Sequence, residues 1–302
     1  MRDHRHVPAP DVVRLIHRVA IVGCGYVGTA LGRRLSGEGL DVVGTTTTPA
    51  RLPELESAGI RGVVLHLSDA EGLRHLLHDR EGVVFCAAPG RPGGSHREVY
   101  HDGALNIAAA TLGSSVRRML YTSSTRVYAQ NDGQWVDESS ITQPPDEDGR
   151  SLVQAEQTLL HVRGNVTVLR LGGIHGPGRE LVARVASYAG ALRDDGATYV
   201  NLIHLDDIVE VLRLLLRQEH HGILNLTDGR PVSRRELYDE ILASLRLPPI
   251  RWQVPPTAVL RGKRVSSQRL ARMLSKTFAS PMNLWGADPQ PPDPNLSVLP
   301  SS

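Results

Sequence analysis

The run "RVAIVGCGYVGTALGRRL", from Arg18 to Leu35, constrains the fold more than any other stretch. An apolar, β-branched segment leads directly into Gly23, Gly25 and Gly28, spaced G-x-G-x-x-G, and these open an amphipathic segment from Tyr26 to Leu35. A strand that turns this sharply into a helix is the first half of a βαβ unit. The first glycine permits the tight turn, the second lets a pyrophosphate approach the backbone, and the third lets helix and strand pack closely. The helix N-terminus then favours the anion. The spacing therefore predicts a dinucleotide site, and Tyr26 and Val27, inside the turn, join the glycines as candidate cofactor-binding residues.

Further short apolar runs follow: "DVVGTTT", "RGVVLHL", "GVVFCAAP", "VRRMLYTSS" and "VTVLRLGG", separated by helical periods such as 99–112. Runs of this length between amphipathic segments predict a parallel sheet covered on both faces. The expected class is α/β, a doubly wound parallel (Rossmann) sheet with a second, smaller, mostly helical substrate domain. The boundaries are an N-terminal extension over 1–17, the dinucleotide-binding domain over 18–173, and the substrate domain over 174–287. Within the last, 202–226 is expected to return to the sheet. Ser233 and Glu236 have the spacing of a capping box at the start of a helix. The Pro-rich tail 288–302 is expected to be disordered.

Net charge is only +2 and the basic residues are dispersed, which argues against a nucleic-acid partner. Cys24 and Cys86 form neither a disulfide framework nor a metal set. They are expected to pack as small apolar groups near the nucleotide. No stretch approaches the ~20 apolar residues of a membrane span. The expectation is a cytoplasmic protein, monomer or homodimer, whose partner is a small-molecule substrate, with no membrane and no metal.

An NAD site would place a carboxylate at the end of the second strand for the ribose 2′-hydroxyl. Here that strand ends at Gly44, Thr45 and Thr46, with Arg51 shortly after. Threonine hydroxyls and a guanidinium suit a 2′-phosphate, so NADP is expected over NAD. Arg51 is equally consistent with a solvated charge at a helix start. Asp69 has two readings as well: a partner for the adenine amine, or the N-cap of the helix that follows.

These features, with "CAAPG", Asn106, "YTSSTRVY", "RLGGIHGPGR", "IHLDDIVEVL", "ILNLTDGRPVS" and "GKRVSSQRL" in order, carry a resemblance. From about Arg18 to Trp285 the chain resembles the extended and atypical short-chain dehydrogenase/reductase superfamily, which includes nucleotide-sugar epimerases and dehydratases. The resemblance implies that Ser124 is the catalytic serine and that Ala87, Ala88 and Pro89 run beside the nicotinamide ribose. It implies that His175, Gly176 and Pro177 lie where cofactor meets substrate, and that His204 and Asp206 close the substrate domain on the nucleotide domain. Asn106 would fix the helix beside the catalytic strand. Arg261 to Arg264 match a substrate-pocket element loosely, and Trp252, Arg261 and Trp285 suggest aromatic and cationic pocket walls. Relatives often dimerise through the helices that correspond to 99–112 and 151–162.

One departure matters. Aligned on "AEQTLL", the family's Tyr-x-x-x-Lys dyad falls near Asp148 and at Leu152, and neither residue can play the dyad's part. Loss of a positioned acid removes ~10²–10⁴ in rate. Candidate replacements are His175, whose imidazole titrates near neutral pH, Tyr128, and Asp148 or Glu147 in the charged stretch "PPDEDGR", which reads as a solvated loop. Arg126 and Arg150 are candidate anion ligands, Glu156 a structural helix residue, and His96 and His101 surface groups. Three readings follow: an NADP-dependent reductase of a small polar carbonyl or imine with an atypical proton donor, a redox-neutral isomerase, dehydratase or cyclase, and a non-catalytic NADP(H)-binding regulator.

Overall fold

The computed structural model describes residues 15–90, 95–162, 164–253 and 259–275. Most of the 1–17 extension, the 288–302 tail and Trp285 lie outside the described residues. At the centre is a seven-stranded parallel sheet of β1 (Arg18–Val22), β2 (Asp41–Thr46), β3 (Arg61–Val64), β4 (Gly82–Phe85), β5 (Arg118–Ser124), β6 (Asn165–Leu171) and β7 (Gly222–Leu226). The order is β3-β2-β1-β4-β5-β6-β7. Strand order reverses beside β1, which pairs with β2 on one edge and β4 on the other, so the carboxyl ends of these strands open a crevice.

Successive residues of a strand point to opposite faces. Along β1, Val19 and Ile21 enter one apolar core while Ala20 and Val22 enter another. Burial on both sides is why these strands read as unbroken apolar runs. The first core takes Leu31 and Leu35 from helix α1 (Tyr26–Gly37). It also takes Ile208, Val211, Leu212 and Leu215 from a late helix, Leu205–Arg217. The opposite core is built by α2 (Ala70–Leu77), α3 (Gly103–Ala110) and α4 (Glu147–Leu160), through residues such as Leu73, Ile107 and Leu159. The late helix, α5 hereafter, leads into β7, which pairs with β6 from Gly222↔Thr167 to Leu226↔Leu171.

A smaller unit holds its own core of Leu181, Val185, Leu237, Tyr238, Ile241 and Leu242. Its helix Arg234–Ser244 opens with the predicted capping box: Ser233 Oγ accepts from the Glu236 amide at 3.1 Å, and Glu236 Oε2 accepts from the Ser233 amide at 2.8 Å. Two departures from the sequence reading bear on the site. The stretch read as a solvated loop is the first turn of α4, because Asp146 accepts from the Gly149 amide at 2.8 Å and caps the helix. Asp132–Val136 also forms a strand, paired in parallel with Gly262–Val265.

Candidate active site

A cavity of about 390 Å³ lies over the carboxyl ends of β1 and β2, between the glycine turn and Thr45 to Thr48. Gly23 has φ +100°, and a Cβ there would collide with the backbone of Ala87. A Cβ on Gly28 would strike the carbonyl of Gly23. These two glycines are required by the packing of protein on protein. Gly25 differs, since no heavy atom lies within 4 Å of where its Cβ would sit. It is the N-cap of α1, and no side chain caps the helix there. Open space above an uncapped helix N-terminus fits a pyrophosphate. A dinucleotide held here would rest on Gly25, Tyr26, Val27 and Gly28, and would supply hydride chemistry at its nicotinamide.

The polar residues at the end of β2 are already engaged. Thr45 Oγ1 accepts from the Gly23 amide at 2.9 Å and its carbonyl accepts from the Cys24 amide at 2.8 Å. Thr46 Oγ1 accepts from the Thr48 amide at 3.1 Å. Both hydroxyls accept bonds that shape the turn, and accepting leaves the O–H proton of Thr45 able to donate. Arg51 lines the cavity, donating to the Cys24 carbonyl at 2.5 Å and pairing with Glu54 at 2.9 Å. Glu54 holds it in place, so it is not a freely solvated charge. Asp69 accepts from the Gly72 amide at 2.8 Å as the N-cap of α2. The N-cap reading of Asp69 is thus met in the structure, while Leu65, His66 and Leu67, just before it in the chain, line the cavity. Burial pushes the Cys24 thiol up to about 12 and the Cys86 thiol further, so both are inert packing groups.

A second cleft, of about 890 Å³, shares Gly25, Ala87, Ala88 and Gly90 with the first. Ser124, the last residue of β5, lines it together with Tyr26, Tyr100, Arg179 and Arg184. Ser124 Oγ accepts from the Arg126 amide at 3.2 Å, which fixes the hydroxyl at the strand end. The serine expected from the resemblance thus lies on the wall of the second cleft.

The candidate replacements for the dyad, Tyr128, His175, Asp148 and Glu147, are not among the described residues that line this cleft. Tyr128 is 1% exposed; its hydroxyl donates to Asn225 Oδ1 at 2.8 Å and accepts from Arg170 at 3.0 Å. Both its valences are used inside the protein. His175 is 5% exposed, in register with His204 on a neighbouring strand, the two rings 5.1 Å apart. Burial, then His204 and Arg184, lowers its pKa from 6.5 to about 4, so the ring is neutral at physiological pH and does not titrate there. Asp148, on the first turn of α4, lies 2.8 Å from His96 Nδ1 and 3.1 Å from Arg126. It is part of a cluster with Arg126 rather than a lone base, and His96 is thereby a partner in that cluster.

Behind Ser124 runs a buried polar chain. Ser123 Oγ donates to Glu156 at 2.5 Å, and Arg170 grips the same carboxylate through Nε at 3.0 Å and Nη2 at 2.6 Å. Glu156 and Arg170 are 3% and 4% exposed. The pair ties α4 to β6 directly beneath the cleft, and gives Glu156 its structural role. Leu152, at the expected lysine position, is buried in the sheet core. Asn106 donates to the Leu67 carbonyl at 2.8 Å and so anchors α3.

The other proposed pocket residues lie elsewhere. Arg261 pairs with Asp195 at 2.6 Å, Lys263 donates to the Tyr128 carbonyl at 2.5 Å, and Arg264 stacks on Trp135 and Tyr199. Trp252 donates to Asp239 at 3.0 Å within the smaller core. His204 caps α5, and Arg150 donates to the Pro145 carbonyl. Sequence reasoning missed Tyr100, Arg179 and Arg184, because which side chains face a cleft between distant segments is not a local property.

Residues 19–227 match the family described as NAD dependent epimerase/dehydratase. Protein YeeZ of Escherichia coli (strain K12) is 30% identical over 271 residues, covering 87% of this chain and 96% of that protein. The 2′-dehydrokanamycin reductase of Streptomyces kanamyceticus is 27% identical over 260 residues, covering 80% of this chain and 69% of that enzyme. The Bordetella bronchiseptica enzyme WbmG, solved with NAD and UDP, shares the fold with a TM-score of 0.74 at 20% identity, covering 87% of this chain and 89% of that one. With the glycine turn, the switch-point crevice and the serine at the end of β5 in place, the chain belongs to the NAD dependent epimerase/dehydratase family of the short-chain dehydrogenase/reductase superfamily.

Proposed function

We propose that the chain is an NADP-dependent reductase of a small polar carbonyl or imine. The observation that carries the cofactor preference is the end of β2, where Thr45 to Thr48 and Arg51 line the cavity and no carboxylate stands at that strand end. The carboxylate that does line the cavity, Glu98, comes from the segment after β4. Arg51 is held by Glu54 and the Cys24 carbonyl with its guanidinium at the cavity wall, ready for a 2′-phosphate. Ser124 would hydrogen-bond the substrate oxygen, while Arg179, Glu180 and Arg184 line the same cleft and leave it a net positive charge that suits a polar substrate. That a relative 27% identical over 260 residues is a reductase supports the redox reading.

Titration of the purified protein with NADPH and with NADH tests this reading. NADPH should bind more tightly, and Arg51→Ala should weaken NADPH by about 10-fold or more, the value of one charge-assisted hydrogen bond, with little effect on NADH. Equal affinities that respond equally to Arg51→Ala would overturn the NADP assignment. Ser124→Ala should cut turnover by about 100-fold with nucleotide affinity unchanged, as measured by steady-state NADPH oxidation. The regulator reading retains one observation in its favour, Leu152 in the core at the expected lysine position. NADPH binding without turnover of any carbonyl would support it.

A further inference from the structure

We propose that Tyr100 is the proton donor of this active site, a phenol supplied from the helix after β4 in place of one on α4. The proposal rests on the reductase reading above and deepens it. Tyr100 lies in the six-residue π-helical turn Arg97–Asp102 that leads into α3. Such turns insert one residue into a helix, rotate the side chains around it, and recur at functional sites. Here the turn packs against α4, and Tyr100 lines the cleft together with Ser124, Ala87 and Ala88. Its ring meets His96 edge-on at 5.7 Å. Its hydroxyl makes no hydrogen bond among the described residues, unlike that of Tyr128.

The surroundings keep the phenol neutral until charge develops beside it. The titratable groups that act on the phenol or touch its ring are Asp148, Arg126, His96 and the buried Tyr121. Burial and then Asp148 raise its pKa above 10, with Arg126 opposing. The phenol therefore remains protonated at neutral pH, the state that reduction needs. The second phenol on the cleft, Tyr26, is less suited, for the Arg179 guanidinium covers its ring at 4.3 Å and its hydroxyl is turned toward Gly176.

The step balances as follows. The substrate carbonyl carbon receives a hydride from reduced nicotinamide, the C=O π pair moves to oxygen, and that oxygen takes the Tyr100 proton while Ser124 holds it. One C–H and one O–H bond would form on the substrate; its C=O π bond, the nicotinamide C–H bond and the phenol O–H bond would break, and the dihydronicotinamide would be oxidised to the pyridinium as the carbonyl is reduced. The phenolate would regain its proton from solvent water entering the cleft.

The test uses Tyr100→Phe in the full chain, with thermal melting to verify folding. In wild type, saturating NADP⁺, whose pyridinium ring is positive, should move one tyrosine's ultraviolet titration to lower pH, and Tyr100→Phe should abolish that component. With phenanthrenequinone as an activated carbonyl probe, the variant should bind NADPH within about two-fold of wild type yet lose about 10²–10⁴ in turnover. Persistence of the nucleotide-linked tyrosine titration in Tyr100→Phe, or retention of turnover, would overturn the role of Tyr100 while leaving the reductase reading standing. Failure of wild type to bind NADPH would overturn both. The spectroscopic arm decides the matter even if the quinone is a poor substrate.

Discussion

Replacing Gly25 with valine should weaken NADPH binding by at least about 100-fold and leave the melting temperature nearly unchanged. The two effects separate because of where the side chain would go. At Gly25 the backbone has φ −84° and ψ −148°, so a positive φ does not impose glycine, and the space beyond its Cα is empty of protein atoms. A valine would fill the approach of the pyrophosphate to the α1 N-terminus and displace two or more charge-assisted hydrogen bonds, each ~1.5–3 kcal/mol. Two such losses amount to about 100-fold or more in Kd. Gly23→Ala is the contrast. Its φ of +100° and the collision with Ala87 direct the cost to folding instead. Calorimetric titration alongside thermal melting distinguishes the two, and an unchanged Kd in Gly25→Val would remove the turn as the pyrophosphate cradle.

Removal of the Glu156 carboxylate should cost about 3–5 kcal/mol of stability, because it leaves the Arg170 guanidinium buried with its charge uncompensated. Ser123 would lose its acceptor in the same change. Glu156→Leu is the variant to make, read by urea denaturation monitored by the far-ultraviolet circular dichroism of the helices. The double variant Glu156→Leu with Arg170→Met should recover most of the loss, since a buried pair exchanged for apolar groups of similar volume is often neutral. A single variant as stable as wild type would mean that water reaches Arg170. The pair sits beneath Ser124, so the single variant should also reduce whatever turnover the protein shows, through displacement of β5 against α4.

Both predictions depend on how much of the molecule its sequence disclosed. The glycine turn was legible because its constraint is local: strand, turn and helix follow one another within a few residues, and each glycine answers a contact made there. The capping box at Ser233 was legible for the same reason, three residues and two hydrogen bonds. Ser124 was legible by resemblance and stands on the cleft wall. The stretch from Pro144 to Arg150 misled, because its charges are those of a loop while Asp146 supplies the cap that starts a helix.

The donors to the chemistry were harder. Tyr128 and His175 have the right functional groups, but the hydroxyl of one is consumed by Asn225, 97 residues away, and the ring of the other is buried beside His204 on a different strand. Tyr100 carries no signal in the chain, since its direction depends on a π-helical turn and on α4 packed against it. By itself, then, the sequence determined the parallel sheet, its switch-point crevice and the glycine cradle, all products of periodicity and backbone sterics acting over short spans. Only the tertiary structure decided which polar side chains face the cleft and which are spent inside, because that choice is made by partners distant in the chain and by the cost of burying any polar group left without one.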